Sequence, residues 1–126
     1  MDFEVNANGT LNLLEAFKNI YKSNNNCYLL FIGPDEESLY SKLKGKNIKR
    51  LKYCSDPSIF YKIADCFILP SKREGMPVTI LESFKFKTPV IASNIYGITS
   101  LVKDYKTGLL FPVNDKLILQ KKMIFV

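Results

Sequence analysis

Residues 66–82 read Cys66-Phe67-Ile68-Leu69-Pro70-Ser71-Lys72-Arg73-Glu74-Gly75-Met76-Pro77-Val78-Thr79-Ile80-Leu81-Glu82, and this stretch decides the fold. Cys66 to Leu69 is a short apolar run, the pattern of a strand covered on both faces. Pro70-Ser71 ends it, a polar loop follows, and Pro77 starts a helix expected to turn Val78, Leu81 and Phe84 inward. A strand that leaves through a loop and returns as a helix is half of a βαβ unit.

The same alternation continues on both sides. Upstream, Leu13, Leu14, Phe17, Ile20 and Tyr21 recur at helical spacing, which predicts a helix after Asn8-Gly9-Thr10 that runs to about Lys22. Tyr28 to Ile32 reads as a second buried strand, stopped by Gly33-Pro34. Asp35, Glu36 and Glu37 open, and Lys42 and Lys44 close, a helix whose charges oppose its dipole. Ile48 to Tyr53 is a less regular strand, and Asp56-Pro57 starts a short helix carrying Ile59, Phe60 and Ile63. Downstream come a strand from Pro89 to Ala92, a short helix from Ile98 to Val102, a strand from Leu109 to Phe111 and a last helix from Asp115 to Met123.

Apolar strands alternating with helices imply an α/β, Rossmann-like parallel sheet with helices on both faces. Residues 1–126 are expected to make a single, truncated domain, and a second domain needed by the chemistry is expected on another polypeptide. Ligands of such sheets bind beyond the carboxyl ends of the strands. That singles out the loops at Gly33-Pro34, Ser71 to Met76 and Ser93 to Gly97.

Eighteen Lys and Arg against 12 Asp and Glu give a formal charge of 18 − 12 = +6, which favours anionic partners. The chain has no histidine, which removes Ser-His and Cys-His nucleophile pairs, imidazole bases and His-bearing metal sites. Cys27, Cys54 and Cys66 are an odd set without C-x-x-C spacing and read as buried, reduced thiols. With no apolar run of the ~18–20 residues a membrane helix needs and no signal-peptide pattern, the expectation is a cytoplasmic protein. Contact with the inner face of a membrane is at most peripheral. Lys42, Lys44, Lys46, Lys49, Arg50 and Lys52 form a basic run without interleaved aromatic residues, which reads as a solvated face and not as a nucleic-acid site.

Gly75 lets a ligand approach the backbone, and the uncapped amides at the start of the next helix offer donors to a phosphate. Glu74 and Glu82 lie eight residues apart, about 12 Å along a helical segment. Acid/base pairs that flank one glycosidic bond stand ~5–9.5 Å apart. The longer span suits two hydroxyl-bearing ends of one ligand, each gripped by a carboxylate, with a diphosphate between them. Ser71 reads equally well as a cap on backbone amides or as a ligand contact, and Thr79 as packing or contact.

This stretch, preceded by I-A-D-C-F-I-L-P-S and followed by T-P-V-I-A-S and D-Y-K-T-G-L-L-F-P-V-N-D, resembles the C-terminal half of a GT-B fold retaining glycosyltransferase of family 4. The resemblance runs from about Gly9 to Asp115. It implies that the catalytic Glu74 contacts the transferred sugar and that Glu82 binds ribose hydroxyls. Backbone around Gly75, Met76, Pro77, Val78 and Thr79 would hold the phosphates, with Tyr53 to Ser55 near the base. It implies a UDP-linked sugar as substrate, no metal or cofactor, a glycan or lipid-linked acceptor, and a separate acceptor-binding domain or chain.

The chain departs from that pattern where the family usually places an Arg and a Lys in the domain's first loop. Asn8 precedes Gly9, and no arginine occurs before Arg50. Ser100 stands where a glutamate is common. Without those cations only dipoles oppose the phosphate charge, so transfer by this chain alone is not expected. The alternative is a non-catalytic module that binds a nucleotide sugar or docks on a partner.

Overall fold

The computed structural model describes residues 7–32, 45–51 and 54–126. The helix expected over Asp35 to Lys44, the Gly33-Pro34 loop and Tyr53 lie outside the described residues. Helix α1 (Ala7–Ser23) leads to strands β1 (Leu29–Ile32) and β2 (Ile48–Leu51), followed by α2 (Ser58–Ile63), β3 (Phe67–Leu69) and α3 (Val78–Lys85). The chain continues through β4 (Val90–Ser93), α4 (Tyr96–Thr99) and β5 (Leu109–Phe111) to α5 (Lys116–Phe125).

Every strand pair is parallel, but the expected single sheet is divided among the described residues. β1 pairs with β2, while β3, β4 and β5 form a second ladder in that order. The two ladders share one core, in which Leu29, Phe31 and Ile32 join Phe67, Leu69, Val90, Ile91 and Phe111. Helix α1 packs on α5 and α2 on α3, so the ladders are flanked by two helix pairs. β4 is buried along its whole length, as a central strand must be. β2 alternates half-buried and exposed residues, which explains its irregular pattern: Lys49 faces solvent on a strand with one neighbour among the described strands.

The stripe predicted on α1 is the buried one, with Leu13, Leu14 and Phe17 in the core. Asp115 caps α5, its carboxylate accepting the Ile118 N–H at 3.0 Å. At the start of α2, Pro57 occupies the cap position while Asp56 accepts the Ser58 N–H at 3.0 Å. Hydrogen bonds from Ser58 hold the Asp56 carboxyl below its ordinary range. The short helix predicted at Ile98 to Val102 starts earlier, at Tyr96, and only Ile98 and Val102 of that segment are fully buried.

Two expectations need correction. On α3, Val78 is 57% and Leu81 42% exposed, whereas Ile80 and Ser83 are buried and Phe84 packs on the core. The helix carries two apolar stripes, and contact with β3 and α2 selects the one through Ile80. The three thiols are unpaired but half-buried. Of the basic run, Lys46 and Lys49 are exposed and Arg50 is half-buried. Among the described residues no helix is long and apolar enough to cross a membrane.

Candidate functional site

The register levels Leu69 with Ala92, and Ser93 with Phe111, so the loops that follow β3 and β4 leave from one carboxyl edge. The Ser93 hydroxyl donates to the Leu69 carbonyl (3.4 Å) and the Asn94 N–H to the Phe111 carbonyl (2.8 Å), which ties the three strand ends together. Two of the loops singled out from sequence therefore meet in space, and the third, Gly33-Pro34, lies outside the described residues.

Their contact is backbone on backbone. A Cβ placed on Gly97 would fall within van der Waals distance of the Glu74 and Gly75 carbonyl oxygens, so only glycine lets α4 come this close. Gly9, in the first turn of α1, packs in the same way against the Pro70 carbonyl. Two segments distant in sequence thus converge on the 70–77 loop. Gly75 itself has open space on its side-chain face, with nothing among the described residues within 4 Å.

Inside this frame Ser71 is 1% exposed, and its hydroxyl donates to Glu74 Oε1 at 2.8 Å. Where sequence offered a cap on backbone amides or a ligand contact for Ser71, its hydroxyl bonds a side chain of the same loop. Met76 is 65% exposed and Pro77 is buried. Pro77 begins α3 without a side-chain cap, and its carbonyl accepts the Ile80 N–H at 3.0 Å. An uncapped first turn leaves amide donors at Val78 and Thr79 for an anion.

Thr79 and Glu82 lie three residues apart on α3, which puts them on one side of the helix, and both are half-buried. The Thr79 carbonyl accepts from the Ser83 hydroxyl at 2.9 Å, leaving the Thr79 side chain uncommitted by that bond. α3 starts only at Val78, so half of the interval between the glutamates is loop, and the separation inferred from helical rise does not apply. Ser100, at the end of α4, turns its hydroxyl back onto the Gly97 carbonyl at 3.3 Å. Of the segment expected near a base, Cys54 is half-buried and Ser55 exposed, while Tyr53 is outside the described residues.

Ser71 and Gly97 are the residues whose part in this arrangement sequence reasoning missed. The P-S dipeptide after a buried strand and the glycine after Tyr96 were visible, but the contacts they make join separate loops.

The chain matches the family model for glycosyl transferases group 1 over residues 5–126. It is 30% identical over 114 residues to the capsular polysaccharide biosynthesis glycosyltransferase CapM of Staphylococcus aureus, covering 85% of this chain and 30% of that protein. Over 70 residues it is 41% identical to an Escherichia coli UDP-Gal:alpha-D-GlcNAc-diphosphoundecaprenol alpha-1,3-galactosyltransferase, covering 56% of this chain and 18% of that one. Its fold superposes with a TM-score of 0.82 on the crystal structure of the C-terminal domain of the group 1 glycosyl transferase LpcC from Francisella tularensis, at 21% identity, covering 96% of this chain and 69% of that one. The chain spans less than a third of the length of these curated relatives.

Proposed function

The chain belongs to the glycosyl transferases group 1 family, and on that premise we propose that it is the donor-binding half of a GT-B glycosyltransferase. Its ligand is a nucleoside diphosphate sugar, UDP-linked, held at the carboxyl edge of the β3–β5 ladder. Glu74 takes the hydroxyls of the transferred sugar, the backbone from Gly75 to Thr79 receives the diphosphate, and Glu82 holds the ribose. The parent reaction transfers a hexose with retention to a glycan or lipid-linked acceptor, as in family 4. The observation that carries this reading is the 70–77 loop: a carboxylate hydrogen-bonded by a buried serine stands one residue before a glycine with open space beside it. An uncapped helix start follows directly.

A carboxylate offers two acceptor oxygens to vicinal hydroxyls, and amide donors meet a departing diphosphate without reorganising. Asn8 in place of the usual cation before Gly9 leaves that charge to dipoles. Binding is accordingly expected from this chain, and turnover only with an acceptor-binding domain or partner chain.

Calorimetric titration with UDP, UDP-glucose, UDP-galactose and UDP-N-acetylglucosamine tests the reading. UDP should bind, and at least one of the sugars should add affinity. A folded protein that gives no heat with any of the four at millimolar concentration would refute it.

A further inference from the structure

Ser71 is buried to 1% exposure, and its hydroxyl is spent on one acceptor, Glu74 Oε1, at 2.8 Å. A buried hydroxyl without a partner is costly, so the bond constrains both ends: Ser71 cannot leave it for water, and the carboxylate is drawn down toward the loop's base. The backbone of Glu74 is fixed independently, because its carbonyl and that of Gly75 rest on the bare Cα of Gly97. A main chain stopped from behind and a side chain bonded to a buried hydroxyl together set where the Glu74 carboxylate stands.

We propose that Ser71 is a positioning residue for Glu74, setting the carboxylate at which the donor's sugar is recognised, with Gly97 as the backstop that fixes the loop. The assignment rests on the donor-binding reading and deepens it. Ser71 touches no ligand itself. It acts on the sugar end of the donor and not on the nucleotide, because the nucleotide is met by α3 amides and Glu82, on the far side of Pro77.

The quantity that isolates this role is the affinity of a UDP-sugar relative to that of UDP. In Ser71→Ala, which shortens a buried side chain by one oxygen, affinity for UDP should stay within about twofold while the gain from the sugar falls about tenfold, the usual weight of a hydrogen bond to a charged group. Glu74→Gln should lose the same gain. The double variant Ser71→Ala/Glu74→Gln should lose no more than Glu74→Gln alone, since the serine works only through the carboxylate. Thermal melting of each variant reports whether the fold is kept, and Ser71→Cys, which retains a weaker donor, is the second probe if Ser71→Ala melts early. It should recover part of the sugar gain.

Three results would overturn the assignment. If Ser71→Ala weakens UDP and UDP-sugar equally, the serine is only a brace for the loop. If Glu74→Gln loses the sugar gain while Ser71→Ala keeps it, Glu74 recognises the sugar without the serine, and the donor-binding reading survives. If the wild type binds no UDP-sugar more tightly than UDP, recognition of a sugar at Glu74 fails, and this assignment fails with it.

Discussion

The two edges of the β3–β5 ladder are built on opposite principles. At the carboxyl edge, the 70–77 loop is held by polar and backbone contacts: Ser71 on Glu74, Gly97 under Glu74 and Gly75, and Gly9 against Pro70. At the amino edge, Lys122 is 8% exposed, stands 3.7 Å from the centroid of the Tyr105 ring and donates to both oxygens of Asp104 at 3.2 and 3.3 Å. Asp104 also accepts the Leu110 N–H at 2.8 Å, so the cluster pins α5 to β5. Phe125 packs edge-on against Tyr105, their ring centroids 5.5 Å apart. A cavity of about 310 Å³ beside them is lined by Pro89, Val90, Tyr105, Lys106, Gly108, Leu109, Phe125 and Val126. One edge orders a carboxylate next to open backbone, whereas the other packs rings and a lysine around strand starts. On the same strands, then, one end is fixed by close backbone contact and a buried polar bond, and the other by packing around a charge.

The sharpest way to break this contrast is Gly97→Ala. Its new methyl must displace the Glu74 and Gly75 carbonyls, and such overpacking typically costs about 2–3 kcal/mol. UDP-sugar binding should go with the loop's geometry, and denaturant unfolding together with the titration measures both. A Gly97→Ala protein that melts and binds like the wild type would show that the close approach is not needed.

Lys122→Met should cost less, about 1 kcal/mol, and leave ligand affinity unchanged. Burial alone would lower the Lys122 ammonium's pKa, but its bonds to Tyr105 and Asp104 outweigh that and raise it above the ordinary 10.5. A raised folded-state value means the stabilisation is full below the unfolded value and disappears as pH climbs through the folded one. The stability gap between wild type and Lys122→Met should therefore hold at neutral pH and close above about pH 10.5. A gap that persists there would assign the cluster's contribution to packing, not to charge.

The smallest effect concerns Cys66, just before β3 at the amino edge. Burial pushes its thiol up to about 11, and the Asp65 carboxylate adds to the shift. At pH 8 only about 0.1% would be thiolate, so Cys66 should be the slowest of the three cysteines to alkylate, followed by peptide mass spectrometry. Labelling of Cys66 as fast as Cys27 and Cys54 would mean that the amino edge is wetter than its packing implies.

Much of the fold was legible because its signals are local. The apolar runs of β1, β3, β4 and β5, the stripe on α1 and the start of α5 at Asp115 are decided by neighbours within a turn or a strand. The loop from Ser71 to Met76 was found in the same way, since a strand that stops and a helix that starts bracket it. The face of α3 was misjudged for a physical reason: Val78-Thr79-Ile80-Leu81 is apolar on two sides, and periodicity cannot choose between stripes of similar strength.

By itself, then, the sequence determined an alternating parallel α/β chain and a glutamate-glycine loop ahead of a proline-started helix, because each depends on residues a few positions apart. Packing settled that the described strands fall into two ladders, that Ile80 and not Leu81 enters the core, and that Ser71 and Gly97 close on Glu74. These contacts depend on how segments pack across the sheet. A bare glycine 23 residues from the carboxylate declares nothing about that distance until the loops are brought to one edge.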